Sequence, residues 1–189
     1  IDIELADIVP YIDWTFFFAA WELKGRFPAI LEHPQYGRAA RELFENARTL
    51  LDRIVKEKLI RARAVYGFWP ANSDGEDLVL FHPHSDGRSE LTRFPMLRQQ
   101  EQLPQETPHL SLADFIAPVE SGLTDFVGAF ATTGGLGADA LARSFEQQHD
   151  DYHAIMVKAL ADRFAEASAE WLHQRARRDW GYGVDEQLM

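Results

Sequence analysis

Cysteine is missing from this sequence altogether. That excludes disulfides, thiol catalysis and cysteine-ligated zinc, and it suits a reducing compartment, so a cytoplasmic location is the expectation. Long apolar runs are missing too. Nothing approaches the roughly 18 consecutive apolar residues of a membrane-spanning helix, so no membrane partner is expected. No basic-plus-apolar leader stands at Ile1, and the first residue is not Met. Positive charge is scarce: 19 Lys and Arg face 30 Asp and Glu, a net charge of −11. Such a surface repels phosphate backbones and argues against nucleic acid, while a cationic ligand or a basic partner would be attracted. There is no internal repeat and no low-complexity tract.

What is present is a chain of 189 residues, 46% hydrophobic, with 13 Phe and 5 Trp. That is the size of about one domain with a real core, and a single domain over 1–189 is the expectation. The dominant stretch is 145–180, which has neither Pro nor Gly. Tyr152, Ile155, Met156, Ala159, Leu160, Phe164, Ala167, Trp171 and Leu172 recur at intervals of three and four, the period of an amphipathic helix. Glu146, Asp150 and Asp151 lie early and Arg175, Arg177 and Arg178 late, as the helix dipole favours. GYG at 181–183 closes the stretch. The pattern predicts one unbroken helix with Ile155, Met156, Leu160, Phe164 and Trp171 buried.

Residues 2–8 read as a short helix or an arm. An aromatic-dense stretch follows at 10–25, with a turn or two of helix over 15–21. A second amphipathic helix spans 33–59, with Pro34 in its first turn. Residues 61–69 and 78–82 read as two strands of a hairpin, the first ended by Pro70 and the two joined by a loop of several residues. Residues 91–94 form a third short strand. Residues 96–109 mix a short helix with a polar loop, and 111–118 is a short helix or extended segment. Residues 123–133 form a strand broken by GGLG at 134–137. The elements do not alternate as regular βαβ units, so the fold class is α+β.

Several residues could carry chemistry. Gly135-Leu-Gly137-Ala-Asp-Ala140 fits G-x-G-x-x-A after a strand and before a helix, yet the second strand of a dinucleotide fold would fall inside the long helix. The glycines read instead as a tight turn or a close approach. His149 and His153 share a helix face, and with Asp150, Asp151, His82 or His84 could grip a metal. The alternative is a solvated helix start, and no metal is expected. Lys158, Asp162 and Glu166 lie on one line of the helix. Lys158 can pair with Asp162, and the line is either an exposed or Arg-neutralised face or one that awaits a cation or polar ligand. Asp13, a lone carboxylate among rings, is either a helix N-cap or an anion held for a cationic group.

The segments DWTFFFAAWELKGRFPAILEH (13–33), VYGFWPANSDGEDLVLF (65–81), LRQQ (97–100), LADFIAP (112–118), FVGAFATTGGL (126–136) and DDYHAIMVKALADRFAEASAEWLHQRARRDWGYG (150–183) resemble, in order, the activation domain of cobalamin-dependent methionine synthase. The resemblance implies a C-shaped α+β fold of antiparallel strands and long helices. It implies part of a methyltransferase of methionine biosynthesis: the vitamin B12 enzyme that methylates homocysteine. Its activation domain binds S-adenosylmethionine and docks on the separate domain that holds cobalamin. There the methyl group of S-adenosylmethionine, with an electron from flavodoxin or a reductase, restores oxidised cobalamin to its methylated form.

Carried over by position, the resemblance makes Asp13 the partner of the ammonium group of S-adenosylmethionine and Glu166 an acidic residue near that ligand. It places Gly134, Gly135 and Asp162 on the side that faces the cobalamin domain. It assigns no catalytic residue. In the family the chain continues past WGY into an Arg-Pro-x-x-Gly-Tyr-Pro segment and paired tyrosines that supply most other ligand contacts. On that basis these 189 residues correspond to the N-terminal portion of the domain. The expectation is an incomplete S-adenosylmethionine site and no catalysis by this chain alone. The alternative function is a non-catalytic relative that binds proteins or forms oligomers.

Overall fold

The structure is a computed structural model that describes residues 1–83, 89–102, 104, 107–181 and 183–184. The chain forms two compact units. One comprises 1–65 and 131–189, the other 66–130. The fold class is α+β, as expected. Strands β1 (Asp2–Ile3), β2 (Arg61–Asp74), β3 (Asp77–Phe81) and β4 (Glu90–Pro95) follow one another in that order in the sheet, and β5 (Asp125–Leu136) pairs with β2.

In the first unit, β1 (Asp2–Ile3) pairs antiparallel with the start of β2 (Arg61–Asp74), Asp2 opposite Arg63 and Ile3 opposite Ala62. Helix α1 (Leu5–Ile8) and a 3₁₀ turn over Val9–Tyr11 lead to α2 (Trp14–Ala20). Helix α3 covers Gly37–Glu57 and buries Ala40, Leu43, Ala47, Leu50, Leu51 and Ile54 along one stripe. Pro34 falls before this helix, outside the first turn expected for it: Tyr36 is the N-cap, after a 3₁₀ turn at Ala29–Glu32.

The aromatic stretch is only part core: Tyr11, Trp14 and Trp21 are half-buried and Phe16 is exposed. Phe17 and Phe18 are fully buried. Trp14 meets Phe17 and Phe44 edge-on with ring centroids 5.3 Å and 4.8 Å apart, the arrangement favoured by ring quadrupoles.

The single helix expected over 145–180 is two helices. Helix α4 spans Ala138–Glu146 and α5 spans Asp151–Trp180. Between them His149 adopts φ +58, a left-handed conformation that no helix interior holds. Asp150 then caps α5: its carboxylate accepts from the His153 N–H at 3.1 Å. The cap satisfies one of the orphan amides of the new helix, and apolar spacing continues across the break without registering it.

Helix α5 buries Ala154, Met156, Val157, Leu160, Phe164, Ala167, Ser168 and Leu172. Met156, Leu160 and Phe164 match expectation. Ile155 is 52% exposed and Trp171 half-buried, so the buried face is rotated from the one expected. The end of β5 (Asp125–Leu136) runs through Gly134 and Gly135, so the strand is not broken where expected; Gly137, at φ +101, makes the turn into α4.

In the second unit, β2 runs through Pro70 instead of ending there. Its pairing with β3 (Asp77–Phe81) begins only at Ala71, so this ladder asks no N–H of the proline. Asp74 pairs with Asp77 and leaves only Gly75 and Glu76 as the hairpin loop, tighter than expected. Gly75, at φ +61, supplies the positive angle that two-residue hairpins need. Strand β4 (Glu90–Pro95) adds antiparallel to β3. Ala71, Leu78 and Leu80 form a small core with Trp69, Met96, Ile116 and Val127 against it.

Asn72, nearly buried, donates its amide to the carbonyls of Ala117 and Leu123 at 2.8 Å and 2.9 Å. Over the described part of 96–109 there is no helix. A 3₁₀ turn at Leu112–Phe115 is capped reciprocally by Ser111 and Asp114.

Candidate functional site

Asp13 sits where the extended chain turns into α2. With φ −80 and ψ 100 it is the N-cap, and its Oδ1 accepts from the Thr15 N–H at 2.8 Å. One reading left open by the sequence, the cap, is thus realised. The cap does not exhaust the carboxylate, since each oxygen has two lone pairs and the side chain stands at the surface.

Asp13 also lines a groove of the first unit, ≈ 1050 Å³, together with Asp7, Tyr11, Glu170, Trp171 and Arg178. Two distant parts of the chain meet in its lining, where the Tyr11 hydroxyl donates to Gln174 Oε1. Two aromatic walls, three carboxylates and one guanidinium make an acidic, partly apolar surface. It suits an organic cation better than an anion.

Glu166 does not line that groove. It lies one turn before Glu170 on α5 and is held by Arg163 through two bonds, Nη1 to Oε2 at 2.7 Å and Nη2 to Oε1 at 3.2 Å. The Arg163 guanidinium lies 5.6 Å from the ring centroid of Phe16 on α2. Phe16, with Thr15, Ala19, Glu22, Leu23, Lys24 and Gly25, lines a second notch of ≈ 620 Å³. Arg163 was not singled out by the sequence, although its spacing from Glu166 was a legible signal. Tyr11, Glu170, Gln174 and Arg178 were missed for a different reason: they meet the Asp13 segment only through the fold.

Asp162 is exposed, and no ion-pair partner for it occurs among the described residues. The expected Lys158–Asp162 pair is replaced by Lys158 Nζ to Glu146 Oε1 at 2.8 Å, a bond that raises the lysine pKa above its usual value. The break between α4 and α5 is what brings Glu146 within reach. Gly134 is pressed against the main chain of α5: a Cβ there would lie 2.5 Å from the carbonyl carbon of Phe164. Gly135 is looser, with Ala161 Cβ the nearest atom at 3.8 Å from such a Cβ.

The two histidines do not share a helix face. His149 is in the turn before α5, and His153 directs Nδ1 to Asp150 Oδ2 at 2.8 Å while stacking on Phe145. Asp150 is held below the usual carboxylate range, first by the backbone N–H of His153. Among the described residues no cluster of three His, Cys, Asp or Glu side chains could hold a metal ion; His84 lies outside them. The G-x-G-x-x-A segment does join a strand to a helix, but the residues twenty positions on lie in α5, where a dinucleotide fold would need a strand. No described helix is long and apolar enough to cross a membrane.

The sequence profile of the family described as "Vitamin B12 dependent methionine synthase, activation domain" matches residues 4–189. Among solved structures, the MetH reactivation domain bound to AdoHcy (S-adenosylhomocysteine) is similar over 100% of this chain, with 46% sequence identity and a TM-score of 0.91. The chain spans 57% of the length of that protein.

Proposed function

Because the chain belongs to the vitamin B12 dependent methionine synthase activation-domain family, we propose that it acts in the reactivation module of a cobalamin-dependent methionine synthase. In this reading its 189 residues are the N-terminal portion of that domain. The module binds S-adenosylmethionine and docks on the domain that carries cobalamin. The electron comes from flavodoxin or a reductase. Cobalamin, held by its own domain, would supply the metal centre for the methyl group that S-adenosylmethionine would give up on becoming S-adenosylhomocysteine. The similar MetH domain was solved with that product bound.

The residues present fit such a ligand. S-adenosylmethionine carries two positive centres, an ammonium and a sulfonium, and one carboxylate. Asp13 offers a surface carboxylate beside the aromatic walls of Tyr11 and Trp171, in a groove where acids outnumber bases. Its N-cap bond to Thr15 fixes the carboxylate in place before any ligand arrives, which lowers the entropy cost of binding. The ammonium then makes a charge-assisted hydrogen bond to Asp13. Glu166, one turn before Glu170 and outside the lining of that groove, is proposed from the resemblance alone as a second carboxylate near the ligand. Gly134, Gly135 and Asp162 belong to the side that meets the cobalamin domain. The exposed Asp162 carboxylate is open to such a partner, whereas Gly134 is buried against α5 and would act by letting β5 pack there.

The observation that carries the reading is the pre-fixed Asp13 carboxylate in a chain 46% identical to a reactivation domain. The test is reductive methylation in the full-length protein, followed by the visible spectrum of cobalamin with S-adenosylmethionine and reduced flavodoxin. Methylation that slows in Asp13→Asn and recovers at high S-adenosylmethionine supports the reading. Methylation unchanged by Asp13→Asn at limiting S-adenosylmethionine overturns it.

A further inference from the structure

Arg163 and Glu166 are three residues apart on a helix, and pairs of that kind on an open surface contribute little. This pair is unequal. The Arg163 side chain is 13% exposed and that of Glu166 60%. The cation is lodged in the protein, and the carboxylate is presented to solvent. Nη1 donates to Oε2 and Nη2 to Oε1, a two-pronged pairing that fixes the plane of the carboxylate as well as its position. The same guanidinium rests on the face of Phe16, three residues beyond Asp13 in the short helix that Asp13 caps.

Asp162, Glu166 and Glu170 follow one another at intervals of four along α5, a spacing at which like charges repel. Arg163 is the cation bonded to the middle one. It holds the Glu166 carboxylate between two like-charged neighbours, and it cannot lose its own proton.

We propose that Arg163 is a positioning residue of the ligand site. It presents the Glu166 carboxylate to the cationic end of the ligand and keys α5 to the α2 helix that carries Asp13. The proposal rests on the reading of Asp13 and Glu166 as ligand partners. It assigns Arg163 no contact with the ligand: the guanidinium acts through Glu166.

The experiment is calorimetry with S-adenosylhomocysteine on the full-length protein. The variants are Arg163→Met, Glu166→Gln, the double variant and Asp13→Asn, each also followed by thermal unfolding. Arg163→Met and Glu166→Gln are each expected to weaken binding on the order of tenfold, and the double variant to bind no more weakly than Glu166→Gln alone. Arg163→Lys keeps the charge and most of the stem but not the planar fork. It should recover part of the affinity, and it provides a folded variant if Arg163→Met does not fold.

Equal weakening by Arg163→Met with and without Glu166 would mean that the arginine acts independently of Glu166, and would overturn the proposal. So would a lowered unfolding temperature with unchanged affinity. If Asp13→Asn weakens binding while the Arg163 variants do not, the site reading stands and only this inference fails. If neither Asp13→Asn nor Glu166→Gln changes affinity, the site reading fails, and the inference with it.

Discussion

Gly134 and Phe164 touch main chain to main chain. A Cβ built on Gly134 would lie 2.5 Å from the carbonyl carbon of Phe164 and 2.6 Å from its oxygen. The contact locks the end of β5 onto the middle of α5, where Phe164 is fully buried. Gly134 is not among the residues with positive φ, so the requirement for glycine is one of space and not of backbone angle. Gly134→Ala is therefore expected to destabilise by about 1–3 kcal/mol, the usual cost of overpacking a close contact. Urea unfolding measures it. A change of a few tenths of a kcal/mol would mean that the strand moves away without resistance.

The face of α5 can be tested by two truncations five residues apart. Leu160 is fully buried and Ile155 is 52% exposed. Leu160→Ala should cost about 2–5 kcal/mol, whereas Ile155→Ala should stay within roughly 0.5 kcal/mol. Similar costs at the two sites would show that the helix is rotated from the position described.

The long helix and its neighbours show what a sequence can reveal. Apolar spacing located α3 and α5 because burial imposes a 3.6-residue period on their sequences. It did not show the break at 147–150, because a cap is a local hydrogen bond and leaves the period undisturbed. Asp150, read from charge as lying early in the helix, is the N-cap of α5 itself. The hairpin was visible, but the pairing of Asp74 with Asp77 that tightens its loop depends on register across the strands.

At the site, Asp13 stood out as a single carboxylate among rings. Its cap role followed from position, and its proposed ligand role rests on resemblance. Tyr11, Glu170 and Arg178 were invisible because nothing in sequence links residue 11 to residue 174; only the folded chain sets the Tyr11 hydroxyl on Gln174. Arg163 was legible as a partner of Glu166, but not its seat on Phe16.

Acid should weaken the second unit through Asp114. Arg98 donates to both of its oxygens at 2.8 Å and 3.0 Å. The Ser111 N–H adds a third bond. Together they hold this carboxylate below its usual range, with the Arg98 bond the largest cause. A carboxylate with a lowered folded-state pKa stabilises above its unfolded pKa, and that contribution is lost as pH falls through the folded value. Asp114→Asn should therefore lower the urea midpoint at pH 7 and reduce the further loss between pH 5 and the acid limit. An identical midpoint-versus-pH curve for parent and variant would show that Asp114 contributes nothing through its charge.

Asp13 serves as helix cap and, in the proposed function, as ammonium partner, and one substitution separates the two. Asn is about as good an N-cap as Asp, since its side-chain oxygen still accepts from the Thr15 N–H. Asp13→Asn should thus leave the thermal midpoint nearly unchanged while it removes the negative charge. Affinity for S-adenosylhomocysteine should fall by about tenfold or more, the scale of one charge-assisted contact at a partly exposed site. The analogue 5′-methylthioadenosine carries the nucleoside and the sulfur but neither the ammonium nor the carboxylate. It should bind parent and Asp13→Asn equally, whatever its own affinity. Asp13→Ala removes the cap as well as the charge, so it should weaken binding and lower the midpoint together. Were Asp13→Asn to weaken the analogue as much as S-adenosylhomocysteine, the carboxylate would be shaping the groove and not meeting an ammonium group.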